Sequence, residues 1–347
     1  TSNLTNVSFV FTIDTTRPLI SYEATGLNGV ANNTYWGSDT NFRLNVSYTE
    51  INFGNVTFNL LNSSGVNING TKSNVSSERA LNFTSLAEGV YRLNVTVVDL
   101  ANNTNSSEQR TFTIDTTRPL ITYEATGKND LTNNTNWSQS TFIVNVSYTE
   151  TNFDNVTFNL LNSSTANVNG SFYYGNANRS INFSSLADGT YRMNVTVKDL
   201  ANNSNYSEQR TFTIDTTRPL ITYEATGLNG IVNNTYWGSD TNFRVNVSYT
   251  ETNFANVTFN LLNSSSANIN GTKFNASSER ALNFTSLADG VYRLNVTLVD
   301  TANNTNSSEQ RTFTIDTTRS LISYEATGLN GVVNNTYWGS DSTFRVN

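Results

Sequence analysis

The residues of this chain with the widest chemical scope are its asparagines. About 34 of them stand in the pattern Asn-x-Ser/Thr with x other than proline, which is the acceptor pattern for an N-linked sugar. The pattern recurs inside stretches such as "RLNVTVVD" (92–99), where asparagine is a poor choice for a strand because its amide competes with the backbone for hydrogen bonds. A second recurring set is made of carboxylates. Asp14, Asp115, Asp215 and Asp316 precede Thr-Thr-Arg; Asp99, Asp199 and Asp300 open an Asp-x-Ala-x-Asn turn; Glu23, Glu124, Glu224 and Glu325 follow a strand-like segment. Oxygen ligands of this kind suit a hard cation such as Ca²⁺. Histidine and cysteine are both absent, which removes zinc sites, disulfides and thiol or imidazole catalysis together.

The 347 residues suffice for two or three domains, and a hydrophobic fraction of 36% can give each a core. A formal charge of -7, with 20 basic residues spread singly, argues against nucleic acid as a partner. The apolar runs are a few residues long, so neither a transmembrane helix nor a signal peptide is visible in this segment, and no membrane insertion is expected of it.

Self-comparison supplies the organisation. "TIDTTRPLI" (13–21) returns near 113 and 213, and as "TIDTTRSLI" near 314, while Trp36, Trp137, Trp237 and Trp338 keep the same step of about 100 residues. In the copy after Asp115, strand-like segments fall at 119–126, 142–149, 155–162, 166–173, 179–184, 190–198 and 207–215. Seven short alternating segments divided by Asn, Gly, Ser and Asp turns predict an all-β fold, tandem immunoglobulin-like antiparallel β-sandwiches of about seven strands each. The alternation points Phe142, Val144, Val146, Tyr148, Val156, Phe158, Leu160, Met193, Val195, Val197, Phe212 and Ile214 inward. Tyr91, Tyr191 and Tyr292 stand where a tyrosine corner belongs, although a core tyrosine with a solvated hydroxyl fits as well. The tryptophans precede the second main strand and suit either sandwich packing or an exposed contact.

The same alternation explains the asparagines. In "LNVTV" the apolar Leu93, Val95 and Val97 share one face, so Asn94 and Thr96 share the other; the two-residue spacing of the acceptor pattern equals the side-chain period of a strand. Asn45, Asn55 and Asn82 follow the same rule and are expected to face outward, while Asn32, Asn62, Asn69, Asn102 and Asn105 lie in loops. The second copy repeats them as Asn133, Asn136, Asn145, Asn155, Asn162, Asn169, Asn182, Asn194, Asn202 and Asn205. The third has Asn233, Asn246, Asn256, Asn263, Asn270, Asn283, Asn295, Asn303 and Asn306, with Asn334 beyond it. Two readings are open: dense N-linked glycans on the outer faces, or a polar coat of low charge in which Asn and Thr serve hydration alone.

At "VVDLANNTNSSEQRTFTIDTTRPLI" (97–121) the chain resembles the end of one bacterial or archaeal immunoglobulin-like surface repeat and the start of the next. "DGxYxLNVTVxD" and "VTFNLLNSS" are similar to repeats in large archaeal cell-surface proteins, more than to bacterial adhesins. On this resemblance, residues 1–15 form the last strand of a preceding repeat. Copies span 16–116, 117–216 and 217–317, and 318–347 begin a further one; the tails are expected to be completed by more chain or by a neighbouring molecule. The resemblance implies tandem extracellular domains at a cell surface, used as stalks, surface layers, adhesins or fibres, whose partners are copies of the chain itself or adjoining repeats. It also implies Ca²⁺ at the junctions, for which the residues offer Asp99, Asp115 and Glu124, then Asp199, Asp215 and Glu224. The plainer reading has Asp115 capping its turn and Arg118 pairing with a nearby acid.

No constellation for catalysis stands out. Glu50, Glu150 and Glu251 recur in "YTE", but acids repeated in every copy without His or Cys read as surface turns. A Lys-Asn crosslink built into every copy is excluded, since Lys72, Lys128, Lys198 and Lys273 do not share one repeat position. The sequence therefore favours a structural filament, stalk or surface-layer component, each bead adding roughly 35–45 Å for strands of seven to ten residues plus turns. The alternative is the stalk of an adhesin.

Overall fold

The computed structural model describes residues 7–23, 31–37, 40–68, 70–124, 132–168, 171–173, 179–224, 232–238, 241–269 and 271–323. The first repeat contains β1 (Leu19–Tyr22), β2 (Thr34–Trp36), β3 (Phe42–Thr49), β4 (Phe53–Asn62), β5 (Thr71–Ser73), β6 (Ala80–Phe83), β7 (Gly89–Asp99), β8 (Thr104–Ser106) and β9 (Arg110–Ile114). The same nine strands return over 120–214 and again over 220–315. One sheet has the order β1-β3-β6, the other β2-β9-β7-β4-β5 with β8 added to β7, and the later copies follow suit. Facing sheets joined by crossovers make the expected β-sandwich.

The alternation sets the layers. Along β7, Tyr91, Leu93, Val95, Val97 and Asp99 are buried while Arg92, Asn94, Thr96 and Val98 are half-buried on the other face. All twelve residues assigned to the core of the second copy are buried. Each such apolar side chain stabilises the sandwich by roughly 1.5–3 kcal/mol, which lets the repeat hold together without a disulfide. Tyr91 donates its hydroxyl to the Ala87 carbonyl at 2.7 Å, Tyr191 to Ala187 at 2.9 Å and Tyr292 to Ala288 at 2.8 Å, the geometry of a tyrosine corner.

Two short strands of each repeat, β2 and β8 in the first, were not among the seven expected. Strand β2 runs parallel to β9, pairing Thr34 with Phe112 and Trp36 with Ile114. It explains the tryptophan: Trp36 and Trp237 pack, partly buried, against the cores of their repeats. The segment expected at 166–173 is a strand only over Ser171–Tyr173. The residues before it are drawn into a turn by Asn162, whose Oδ1 accepts the backbone N–H of Ser164 and of Ala166, each at 3.0 Å.

The chain divides into two compact units. The first comprises Thr1–Thr135 with Gln139–Ile214 and holds most of the first two repeats; the second comprises Asn136–Ser138 with Asp215–Asn347 and holds the third. Within the first unit, the turn after Trp36 packs on the second repeat, and a Cβ added at Gly37 would collide with the Ala201 carbonyl oxygen. Ala201 is buried, whereas Ala101, its counterpart in the first repeat, is exposed.

Candidate metal centre

Among the described residues, three groups of three carboxylates emerge: Asp14 with Glu50 and Asp99, Asp115 with Glu150 and Asp199, and Asp215 with Glu251 and Asp300. In each, one oxygen per residue lies within 4.8 Å of the others. The middle group shows how the fold builds the site. Asp115 follows β9, with its N–H fixed on the Trp36 carbonyl at 2.9 Å. Its Oδ1 accepts the Thr117 N–H at 3.2 Å, as a turn cap would, and its Oδ2 accepts the Asn152 amide at 2.6 Å. Asp199 ends the strand Gly189–Asp199 and is fully buried. Its two oxygens accept the backbone N–H and the side-chain amide of Asn203, both at 2.8 Å, and that amide also reaches the Asp115 carbonyl at 2.7 Å. Glu150 turns its Oε1 to the Asn152 N–H at 2.8 Å. A cleft of about 610 Å³ lies alongside, lined among others by Glu88, Thr117, Arg118, Glu150 and Asn152.

The electrostatics follow from crowding. Burial pushes the Glu150 carboxyl above the usual carboxylate range, and the neighbouring Asp115 and Asp199 charges push it the same way. Asp199 is also raised, by burial first and by Asp115 after it, against the opposing hydrogen bonds of Asn203. A hard divalent cation would relieve this repulsion. Oxygens sharing one Ca²⁺ at 2.3–2.6 Å can be no more than about 5 Å apart, so the observed grouping fits such an ion, with Asp115, Glu150 and Asp199 as its carboxylate ligands.

The grouping differs from the expected one. Asp99 and Asp115 were expected to converge, but Gly89 pairs with Ile114 at one end of the eleven-residue β7 and Asp99 closes the other end. That length of strand separates them by roughly 33 Å. Asp115 meets Asp199 of the next repeat, and Asp215 meets Asp300. Glu124 and Glu224 are exposed and belong to none of the three groups; their N–H groups extend the strand pairing to the Asn145 and Asn246 carbonyls. Glu23 does the same toward Asn45, and Glu325 lies outside the described residues. The acids that join instead are Glu50, Glu150 and Glu251, which the sequence alone presents as surface turns and whose signal is the 100-residue period.

The asparagines separate by environment. Asn82, Asn182 and Asn283 are exposed on their strands, and Asn45, Asn145, Asn246, Asn94, Asn194 and Asn295 are half-buried on outer faces. Asn102, Asn202 and Asn303 are exposed in turns at φ of 67°, 68° and 67°, a conformation asparagine tolerates better than most residues. Asn136 is exposed and donates its amide to Thr301 Oγ1 at 2.9 Å. Asn155 corrects the outward expectation. It is 6% exposed, because the register between its strand and Gly189–Asp199 shifts between Phe153 and Asn155, and its amide turns to Asp154 at 2.8 Å. Asn55 and Asn256, at the same shift, are half-buried. Asn69, Asn169, Asn270 and Asn334 lie outside the described residues.

Among known proteins, the family model of the bacterial Ig-like domain matches residues 119–216 and 225–317. No curated protein matches the chain. Among solved structures, fibronectin(III)-like modules of Clostridium thermocellum CbhA are 11% identical, covering 56% of this chain and 93% of that one at a TM-score of 0.33. The chicken CNTN1 FN1–FN3 domains are 9% identical, covering 86% and 98%, with a TM-score of 0.33. A 1.5-MDa bacterial ice-binding adhesin structure is 16% identical, covering 87% and 99%, with a TM-score of 0.30. At these values the solved structures carry no inference about function.

The raised carboxyls of Glu150 and Asp199 make a prediction for metal-free protein. A raised folded pKa gives stability that is present below the unfolded value of about 4 and is lost as pH rises through the folded value. Glu150→Gln should therefore melt at a higher temperature than the parent at pH 7 in chelator, and the difference should vanish near pH 4. A variant that melts lower at pH 7 contradicts the crowding. Since the two matched spans cover more than half of the residues and coincide with repeated all-β sandwiches, the chain belongs to the bacterial Ig-like domain family.

Proposed function

We propose that this chain is a structural stretch of an extracellular protein, a filament, stalk or surface-layer component of densely N-glycosylated Ig-like repeats, with an archaeal cell surface as its setting. One observation carries the reading: the polar groups able to do chemistry recur in every repeat at the same register, on outer strand faces and at strand ends. Repetition of that kind gives each bead the same coat and the same joint. Only 14% of the residues are charged, so charge gives the sheet edges thin protection against pairing with other chains; sugars on exposed positions such as Asn82, Asn182 and Asn283 would supply it. The same properties serve an adhesin whose repeats hold a binding head away from the cell. Partners on this reading are adjoining repeats or further copies of the chain.

We infer also that the three carboxylate groups take Ca²⁺. The ion would join the acid after the last strand of one repeat to the acids of the next and so stiffen the array. Their Asn neighbours already supply partial positive charge to the carboxylates, so the sites remain formed without metal.

Intact mass spectrometry of native material tests the coat. The segment should exceed its bare 38.3 kDa by many sugar residues, and a bare mass would reduce the Asn-x-Thr rhythm to surface hydration. For the cation, calcium at a hundredfold excess over its Kd should stabilise a repeat by about 2.7 kcal/mol. Glu150→Gln should lose much of that gain at its own site, and a melting temperature indifferent to calcium contradicts the site.

A further inference from the structure

Asn105, Asn205 and Asn306 each open an Asn-x-Ser acceptor pattern, yet the fold already uses both of its polar groups. In the second repeat the Asn205 Nδ2 donates to the Pro119 carbonyl at 2.8 Å, while its Oδ1 accepts the Tyr206 N–H at 2.9 Å. The hydroxyl of the pattern belongs to Ser207, which is 7% exposed; its Oγ accepts the Val195 N–H at 2.8 Å and donates to the Glu208 carbonyl at 3.2 Å. The other copies repeat every bond. Asn105 holds the Pro18 carbonyl and Asn306 the Pro219 carbonyl, each at 2.8 Å, and Ser107 and Ser308 take the N–H groups of Val95 and Val296, each at 2.9 Å.

The proline belongs to the connector Asp-Thr-Thr-Arg-Pro that joins one repeat to the next. On its other side the first repeat grips the same connector, since Glu88 Oε1 accepts the Thr116 N–H at 3.0 Å and the Thr117 hydroxyl at 2.8 Å. The amides of Asn152 and Asn203 hold Asp115 at its start. The connector is thus bonded along its length to both repeats that it joins. A partly buried amide turned into the connector leaves its nitrogen facing protein, where a sugar would have to displace the bond.

Other acceptor patterns have the opposite polarity. Asn32, Asn133 and Asn233 are exposed, and each Oδ1 accepts a backbone N–H, from Thr111 at 2.8 Å, Thr211 at 2.7 Å and Thr312 at 2.8 Å. Asn62, Asn162 and Asn263 hold two backbone N–H groups each through Oδ1. In these six the oxygen carries the contacts to backbone, so a sugar bonded to the nitrogen would leave those contacts in place.

We propose that Asn105, Asn205 and Asn306 are connector-binding residues and not sugar acceptors, whereas the six oxygen-anchored asparagines are acceptors; the second half rests on the glycan coat proposed above. Chance identity of two structural needs, an amide for proline and a hydroxyl for a strand N–H, writes the acceptor pattern at the junction.

Two measurements decide it. Glycopeptide mapping of native protein should find sugar on the six and none on Asn105, Asn205 or Asn306. Sugar on any of those three overturns the inference and leaves the coat standing. Bare asparagines throughout remove the coat, and with it the acceptor half. The connector half is decided by unglycosylated protein: the chain has no cysteine, so Ser77→Cys and Ala166→Cys place one spin label in each of the first two repeats. Asn205→Ala should broaden the distance distribution between them. Asn105→Ala, which loses the equivalent bond at the connector before the first repeat, should leave it unchanged. Equal widths in the parent and Asn205→Ala, or equal broadening by both variants, overturn the connector role.

Discussion

Leu93, Val95 and Val97 can leave water only if Asn94 and Thr96 stay in contact with it, and this alternation along β7 is the constraint on which the rest of the molecule depends. The inward set fills the space between two sheets, and burying it stabilises a sandwich that has no cysteine for a disulfide. The outward set is fixed in register by the inward one. A repeated strand therefore displays the same polar row in each copy: Asn159 donates to the Asn194 Oδ1 at 3.0 Å, and Asn260 to the Asn295 Oδ1 at 3.1 Å. Composition and fold are linked through this row, because asparagine and threonine hydrate a strand face without the charge repulsion that many like carboxylates would bring.

Strand length is the second consequence. The eleven residues of β7 carry Asp99 to the pole opposite Asp115, so these two aspartates of one repeat cannot meet each other. The acids gather across a connector. Asp115, supplied by the end of one copy, meets Glu150 and Asp199 of the next, and the amides of Asn152 and Asn203 hold the three together. The same trio of acids recurs with Asp14 and with Asp215, so one repeated sequence supplies the same polar cluster again.

Much of this was legible in the sequence, for particular reasons. The core from Phe142 to Ile214 follows from a period of two, while the position of Tyr91, Tyr191 and Tyr292 at the start of a strand leaves two readings open, between which their hydroxyl bonds to Ala87, Ala187 and Ala288 decide. The grouping of the acids did not, because proximity between Asp115 and Asp199 depends on which pole each strand reaches and not on their spacing. Plain alternation points Asn155 outward, but the register shifts between Phe153 and Asn155, and there the side chain turns in. The connector amides were hidden for a different reason: Asn205 and Ser207 satisfy a modification pattern and a structural role with the same two residue types.

A glycan coat and an extracellular joint both require that the chain work outside the cell. Immunogold labelling of intact source cells, with antibody raised against the third repeat, is the most direct measurement. Gold on the outer surface of unpermeabilised cells is the predicted result. Labelling that appears only after permeabilisation and stays inside the cell would contradict an extracellular structural protein.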